Sequence, residues 1–197
     1  MNHKLLGKHT KGKLFVLSGP SGTGKTTLMR RLQKEFFPDI LPTVTFTTRA
    51  PREGEKHGVD YYFISKEEFK KKIENEELLE HVHILNHDYG TDKKQIFDLV
   101  SEGKYVFLVI DVNGAKKIHQ KDDAIFIFVE PPSLATLKER LINRGDKKEI
   151  IQEKLALAEK ELTFKKDYDY QIVNDDLEAA YAVLKSIVIA ESHRIKN

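Results

Sequence analysis

The chain reads as an α/β protein, a parallel sheet covered by helices on both faces, with a mixed β/α lobe inserted into it. Apolar runs of strand length recur without alternation, as strands buried on both faces require. Helical patterns separate them, because parallel pairing needs a crossover connection. Between Thr43 and Thr91 that rhythm stops, and strand-like segments follow one another closely.

The first strand is "KLFVLS" (Lys13 to Ser18), followed by a glycine-rich turn and a helix from about Lys25 to Phe36. Inside the insertion "TVTFTT", "DYYFI" and "LLEHVHILN" are strand-like and "SKEEFKKKIEN" is helical. Ser65 three residues before Glu68 gives that helix a capping-box start. Strands resume with "KYVFLVID" (Lys104 to Asp111), "AIFIFVE" (Ala124 to Glu130) and "DYQIVN" (Asp169 to Asn174). Helices are expected over Asp92 to Ser101, Ser133 to Asn143, Lys148 to Lys165 and Leu177 to Arg194. A charged stretch, Arg144 to Lys154, reads as a second and shorter insertion.

A chain of 197 residues suits one domain with small inserted lobes. Its 40% hydrophobic and 32% charged residues provide a core but no membrane segment. No apolar run reaches the roughly 20 residues that span a bilayer. The basic start lacks an apolar segment of signal-peptide length, so a cytoplasmic protein without a membrane partner is expected. The absence of cysteine excludes disulfides and thiolate chemistry, and a net charge of +2 gives no global basic field for nucleic acid.

Gly19-Pro20-Ser21-Gly22-Thr23-Gly24-Lys25-Thr26 fits G-x-x-x-x-G-K-[ST], follows a strand and opens a helix. Backbone N–H groups in such a loop wrap a polyphosphate, aided by the positive end of the helix dipole. Lys25 would reach the β and γ phosphates, and the Thr26 hydroxyl would ligate Mg²⁺. The loop serves many chemistries, so the rest of the chain must name the acceptor. Arg49 and Arg52 stand three apart beside hydroxyls, with Tyr61 following. Two guanidinium forks and a phenol can hold a dianionic phosphate. A solvated basic strand edge is the alternative that these residues alone leave open.

The run "TTRAPREGEKHGVDYYF", with "HDYGT", "VIDVNGA", "FVEPPS", "RLINRG" and "IVNDD", resembles the guanylate kinase family from Lys13 nearly to the carboxyl end. The resemblance implies Mg²⁺-dependent phosphoryl transfer from ATP to GMP, with dGMP a further acceptor. It implies a three-layer α/β/α core with a five-stranded parallel sheet, a GMP-binding lobe and a lid. The core would cover about residues 1–42, 92–143 and 156–197, the lobe 43–91 and the lid 144–155. By motif, the loop from Gly19 through Thr27 and Asn174 would bind ATP. Arg49, Arg52, Tyr61 and Tyr89 would hold the GMP phosphate, with Thr45, Glu80, Gly90, Thr91 and Asp111 also on the GMP side. Arg140, Arg144 and Lys154 would close over the transferring phosphates with Lys25. Asp111 would also orient metal-bound water.

The guanine assignment has its own chemistry. A carboxylate such as Glu80 can accept from the ring N–H and exocyclic amine of guanine together, and adenine reverses that edge. Family members usually carry D-I-D where this chain has Val109-Ile110-Asp111, and an arginine where it has Lys154. Asn174 in "IVNDD" resembles the family's position near the adenine of ATP, with a helix-start role through Asn174 or Asp175 as the alternative. His57, His81, His83 and His87 lack a ligand spacing and read as ordinary surface or hydrogen-bonded histidines. Two competing readings remain: a related kinase with another phosphorylated acceptor, and a guanylate-kinase-like module that binds peptides. A monomer or homodimer is expected.

Overall fold

A computed structural model describes residues 5–7, 12–119 and 124–195; most of the basic amino-terminal stretch therefore lies outside the described residues. In chain order the core carries β1 (Lys13–Ser18), α1 (Lys25–Phe36) and β2 (Ile40–Pro42). An excursion follows, with β3 (Phe46–Thr47), β4 (Tyr62–Phe63), α2 (Lys66–Glu74), β5 (Leu78–Ile84) and β6 (His87–Asp92). The core then resumes with α3 (Lys93–Ser101), β7 (Tyr105–Val109), α4 (Val112–His119) and β8 (Ala124–Glu130). It closes with α5 (Leu134–Asn143), α6 (Lys148–Leu162), β9 (Tyr170–Val173) and α7 (Leu177–Ser192).

The main sheet has five strands in the order β2-β7-β1-β8-β9, and every pairing is parallel. Alternate residues of β1 serve opposite faces. Phe15 and Leu17 pack with α1 and α7 through Leu28, Leu32, Phe36, Leu184 and Val188. Leu14 and Val16 pack with α3 and α4 through Ile96, Ala115 and Ile118. Burial on both sides is why these strands show no polar alternation. The three-layer core expected from the sequence is what forms.

The excursion builds a second sheet, ordered β4-β3-β6-β5. "TVTFTT" contributes only the two residues of β3, and the hairpin partner β6 is absent from the sequence reading. Its turn explains why: Leu85 and Asn86 both take positive φ, 48° and 67°. That backbone matches a tight hairpin turn usually marked by Asn-Gly, but Leu-Asn gives no such signal. The capping box at Ser65 forms as expected, Ser65 accepting from the Glu68 N–H and Glu68 from the Ser65 N–H.

Three further differences concern ends and short elements. Helix α6 stops at Leu162 and a 3-10 turn covers Lys165–Asp167, so the helix does not run to Lys165. Helix α7 stops at Ser192 rather than Arg194. Helix α4, unanticipated because it is short and contains Gly114, starts where Asp111 accepts from the N–H groups of Asn113 and Gly114. Among the described residues, no helix is long and apolar enough to cross a membrane.

Candidate active site

The glycine-rich loop leaves β1 at the carboxyl end of the parallel sheet, the end where open α/β folds bind ligands. Gly24, the residue before α1, has φ 93°, and a side chain there would meet Asn174 Nδ2 at 2.3 Å. Only glycine accommodates both the left-handed backbone and that approach. Asn174 is buried and donates to the Thr23 carbonyl at 2.7 Å, bracing the loop. The start of α7 is capped by Asp176, which accepts from the Ala179 N–H, so the helix-start alternative for Asn174 or Asp175 is not what forms.

Lys25 curls back over the loop and donates to the carbonyls of Gly19 at 2.5 Å and Pro20 at 2.9 Å. Burial lowers its pKa to about 8, opposed first by the charge of Glu161 and then by Asp111. Ser21, Thr26 and Thr27 lie on the exposed side of the loop, whereas Thr23 is buried and donates to the Pro20 carbonyl.

Across from the loop, the second sheet gathers the basic and aromatic residues. Arg49 donates to both Glu55 oxygens, at 3.0 and 2.9 Å, and its guanidinium lies 5.4 Å from the centre of the Tyr61 ring. Tyr61 meets Tyr89 edge to face at 6.1 Å. Burial and then Tyr89 raise the Tyr61 pKa, with Arg49 acting the other way, so this phenol is a hydrogen-bond donor at neutral pH. Arg52 is exposed, and its backbone N–H donates to the same Glu55 carboxylate at 2.8 Å. One acid therefore shapes the whole segment between the two arginines.

Behind this cluster lies a buried polar pocket. Glu80, 3% exposed, accepts through Oε1 from the Thr91 hydroxyl at 2.8 Å, while Oε2 is buried with no hydrogen-bond partner. Burial raises its pKa to about 7, opposed by the Thr91 hydroxyl, and the charge of Asp111 adds to the rise. Thr45 is also buried, as is Gly90, where a side chain would run into Leu78 at 2.8 Å and Phe69 at 3.1 Å. The charge of Asp111 acts on both Glu80 and Lys25 and so links the two halves electrostatically.

At position 109 the valine packs against the core between the sheet and α1. A different acid, which the sequence reading missed, faces Lys25. Glu161 on α6 is 5% exposed, and its pKa is raised to about 7 by burial, with Lys25 acting oppositely and Asp111 adding to the rise. Nothing in its local sequence, "AEKEL", distinguishes it from its neighbours; only the buried stripe of α6 (Ile151, Lys154, Ala158, Glu161) singles it out.

The segment after α5 supplies the remaining cations. Lys154 donates to Asp146 at 2.8 Å, and Arg144 donates to the same carboxylate oxygen. Arg140 does not join them: it donates to the Asn174 carbonyl at 2.8 Å and so holds the loop before α7. Lys25, Arg49, Arg52, Tyr61, Glu80, Tyr89, Thr91, Asp111, Arg144 and Lys154 thus form one connected set by contact or field. A groove of about 1020 Å³ beside Lys13 and Ala124, at the opposite end of the sheet, contains none of them.

A phosphate-binding loop at the carboxyl end of a parallel sheet, facing a lobe with a buried acid and paired arginines, defines a P-loop α/β kinase of small phosphorylated acceptors. The guanylate kinase family model matches residues 11–191, and the chain belongs to the guanylate kinase family. It is 50% identical to a guanylate kinase of Protochlamydia amoebophila over 190 residues, covering 96% of both chains. It is 42% identical to a guanylate kinase of Clostridium perfringens, covering 95% of this chain and 88% of that one. The crystal structure of guanylate kinase from Anaplasma phagocytophilum superposes with a TM-score of 0.78 at 35% identity, covering 94% and 89% of the two chains.

Proposed function

We propose that this protein phosphorylates GMP at the expense of ATP, and dGMP as a close analogue. The observation that carries the acceptor's identity is the orphaned Glu80 Oε2. A buried acceptor without a donor costs on the order of 1–3 kcal/mol, and guanine offers two adjacent donors to relieve it. An adenine edge would set an acceptor against that oxygen instead.

The phosphate of GMP then falls to Arg49, Arg52, Tyr61 and Tyr89, and that of ATP to the loop around Lys25. On nucleotide binding Lys25 exchanges its two carbonyl partners for phosphate oxygens, a stronger charge-assisted contact. Positioning and charge neutralisation supply most of the catalysis in this reaction class, so no strong base is needed. Arg144 and Lys154 add positive charge where the equatorial oxygens of the transferring group gain negative charge.

The donor set suits Mg²⁺. Thr26 directly follows Lys25, and Asp111 acts on Lys25 through its charge, so both offer hard oxygens near it; among the described residues no cluster of His, Cys, Asp or Glu forms a closed cage. That fits an ion that keeps waters and phosphate oxygens in its shell. When bound it would neutralise charge on the β and γ phosphates, Thr26 being the direct ligand and Asp111 acting through water. The reading carries with it a cytoplasmic site of action and a monomer or homodimer.

The test is ADP release with ATP and a panel of GMP, dGMP, AMP, UMP and CMP. GMP is expected to be turned over fastest. Faster turnover of AMP would overturn the role of Glu80, and no turnover with any nucleotide would favour a peptide-binding module.

A further inference from the structure

The two halves of the site bring like charges together: Lys25, Arg49, Arg52, Arg144 and Lys154. Their mutual repulsion opposes the arrangement unless each has a counter-charge. Lys25 has Glu161 and Asp111, and Arg49 has Glu55. Arg144 and Lys154 share one carboxylate, that of Asp146.

Three observations make that carboxylate more than a surface ion pair. The side chains of Asp146 and Lys154 are only 9% and 7% exposed, so their contact is largely shielded from water. Both hydrogen bonds fall on one oxygen, Oδ2, which fixes the two cations relative to each other. The two cations also act on different neighbours. The charge of Arg144 is felt at Lys25, on the donor side, and Lys154 feels the charge of Arg52, on the acceptor side. Asp146 thus joins two cations whose charges act on residues of both halves of the site.

We propose that Asp146 is a positioning residue for phosphoryl transfer, holding Arg144 and Lys154 as one rigid unit across the donor and acceptor phosphates. The proposal rests on the kinase reading above. It also accounts for a lysine at position 154. An ammonium on a four-carbon stem is a flexible point charge, without the planar fork that orients arginine. A buried carboxylate at 2.8 Å supplies from outside the orientation that the side chain lacks. The carboxylate cancels one of the two positive charges, so its contribution is placement rather than added attraction. Misplacement of catalytic groups is felt mainly in the chemical step.

Steady-state GMP phosphorylation by wild type, Asp146→Asn, Asp146→Glu, Lys154→Met and the Asp146→Asn/Lys154→Met pair tests this, with melting temperatures for each. Asp146→Asn is expected to lower kcat about tenfold while both KM values stay within about threefold. Asp146→Glu should recover most of the loss, and the double variant should be no slower than Lys154→Met alone. Asp146→Ser replaces Asp146→Asn if that variant does not fold. An unchanged kcat, a KM effect with kcat intact, or additive losses in the double variant would overturn the proposal while the wild type still turns over GMP. A wild type inactive on GMP would overturn the kinase reading and this proposal together.

Discussion

Thr91 donates to one oxygen of Glu80 at 2.8 Å and leaves the other, equally buried, without a partner. The hydroxyl fixes the carboxylate plane without exhausting its capacity to accept. An acid held this way is a reader waiting for two donors. Glu80→Gln replaces one accepting oxygen by a donating amide at the same volume. We expect kcat/KM for GMP to fall on the order of 100-fold, the scale of a lost charge-assisted hydrogen bond with a mismatched donor left behind. The loss should sit in the KM for GMP, leaving that for ATP unchanged in matched titrations.

The same acid sets a pH dependence of stability in the nucleotide-free protein. The pKa of Glu80 is raised by burial to about 7, above the usual carboxyl value of 4.5. Between those values the folded state binds more protons than the unfolded state, so stability falls as pH rises through the window. Glu161, also raised to about 7, acts in the same direction. Asp111, raised by burial, adds to the same trend, and Glu80→Gln removes one of these contributions. Melting temperatures at pH 5 and pH 8 should show the variant close to wild type at the lower pH and more stable at the higher. The gain is at most about 3 kcal/mol for a shift of this size. A variant less stable than wild type at pH 8 would mean the carboxylate is a net stabiliser of the empty fold.

Gly114 permits a separation of folding from recognition. It lies within α4 without a positive φ, so alanine suits its backbone and should add up to about 1 kcal/mol of helix propensity. A β-carbon there, however, would stand 2.9 Å from Glu80 Oε2 and must displace it. Gly114→Ala is therefore expected to melt at or above the wild-type temperature, yet to raise the KM for GMP about tenfold. Equal KM values would show that the Glu80 carboxylate yields without cost.

What the sequence made legible follows from where the information is local. The loop from Gly19 to Thr26 and the capping box at Ser65 are contiguous patterns, and both form where expected. The buried strands declared themselves by composition, because both faces of the sheet are covered. The β5–β6 turn did not, since Leu85 and Asn86 adopt its backbone without the usual residues. Glu161, Glu55 and Asp146 were illegible for another reason. Each is one acid among many in a charged chain, and only the fold reveals that it faces a particular cation. Arg140 marks a related limit: a motif alone gave it a place over the phosphates, whereas its hydrogen bond to the Asn174 carbonyl is visible only in the fold.

Lys25 divides the site most sharply. Its ammonium spans the loop through the Gly19 and Pro20 carbonyls, and the carboxylates that oppose the drop in its pKa are Glu161 and Asp111. Removing the side chain should leave the acceptor pocket intact and strip charge from the donor phosphates. Lys25→Ala is expected to lower kcat by at least about 100-fold, the scale of losing one preorganised donor to a charged transition state. Calorimetric titration of GMP into the variant without ATP should give a Kd within about threefold of wild type. An equal loss of GMP affinity would mean that donor and acceptor halves are not separable, and that Asp111 transmits the change from the Lys25 side to the Glu80 pocket.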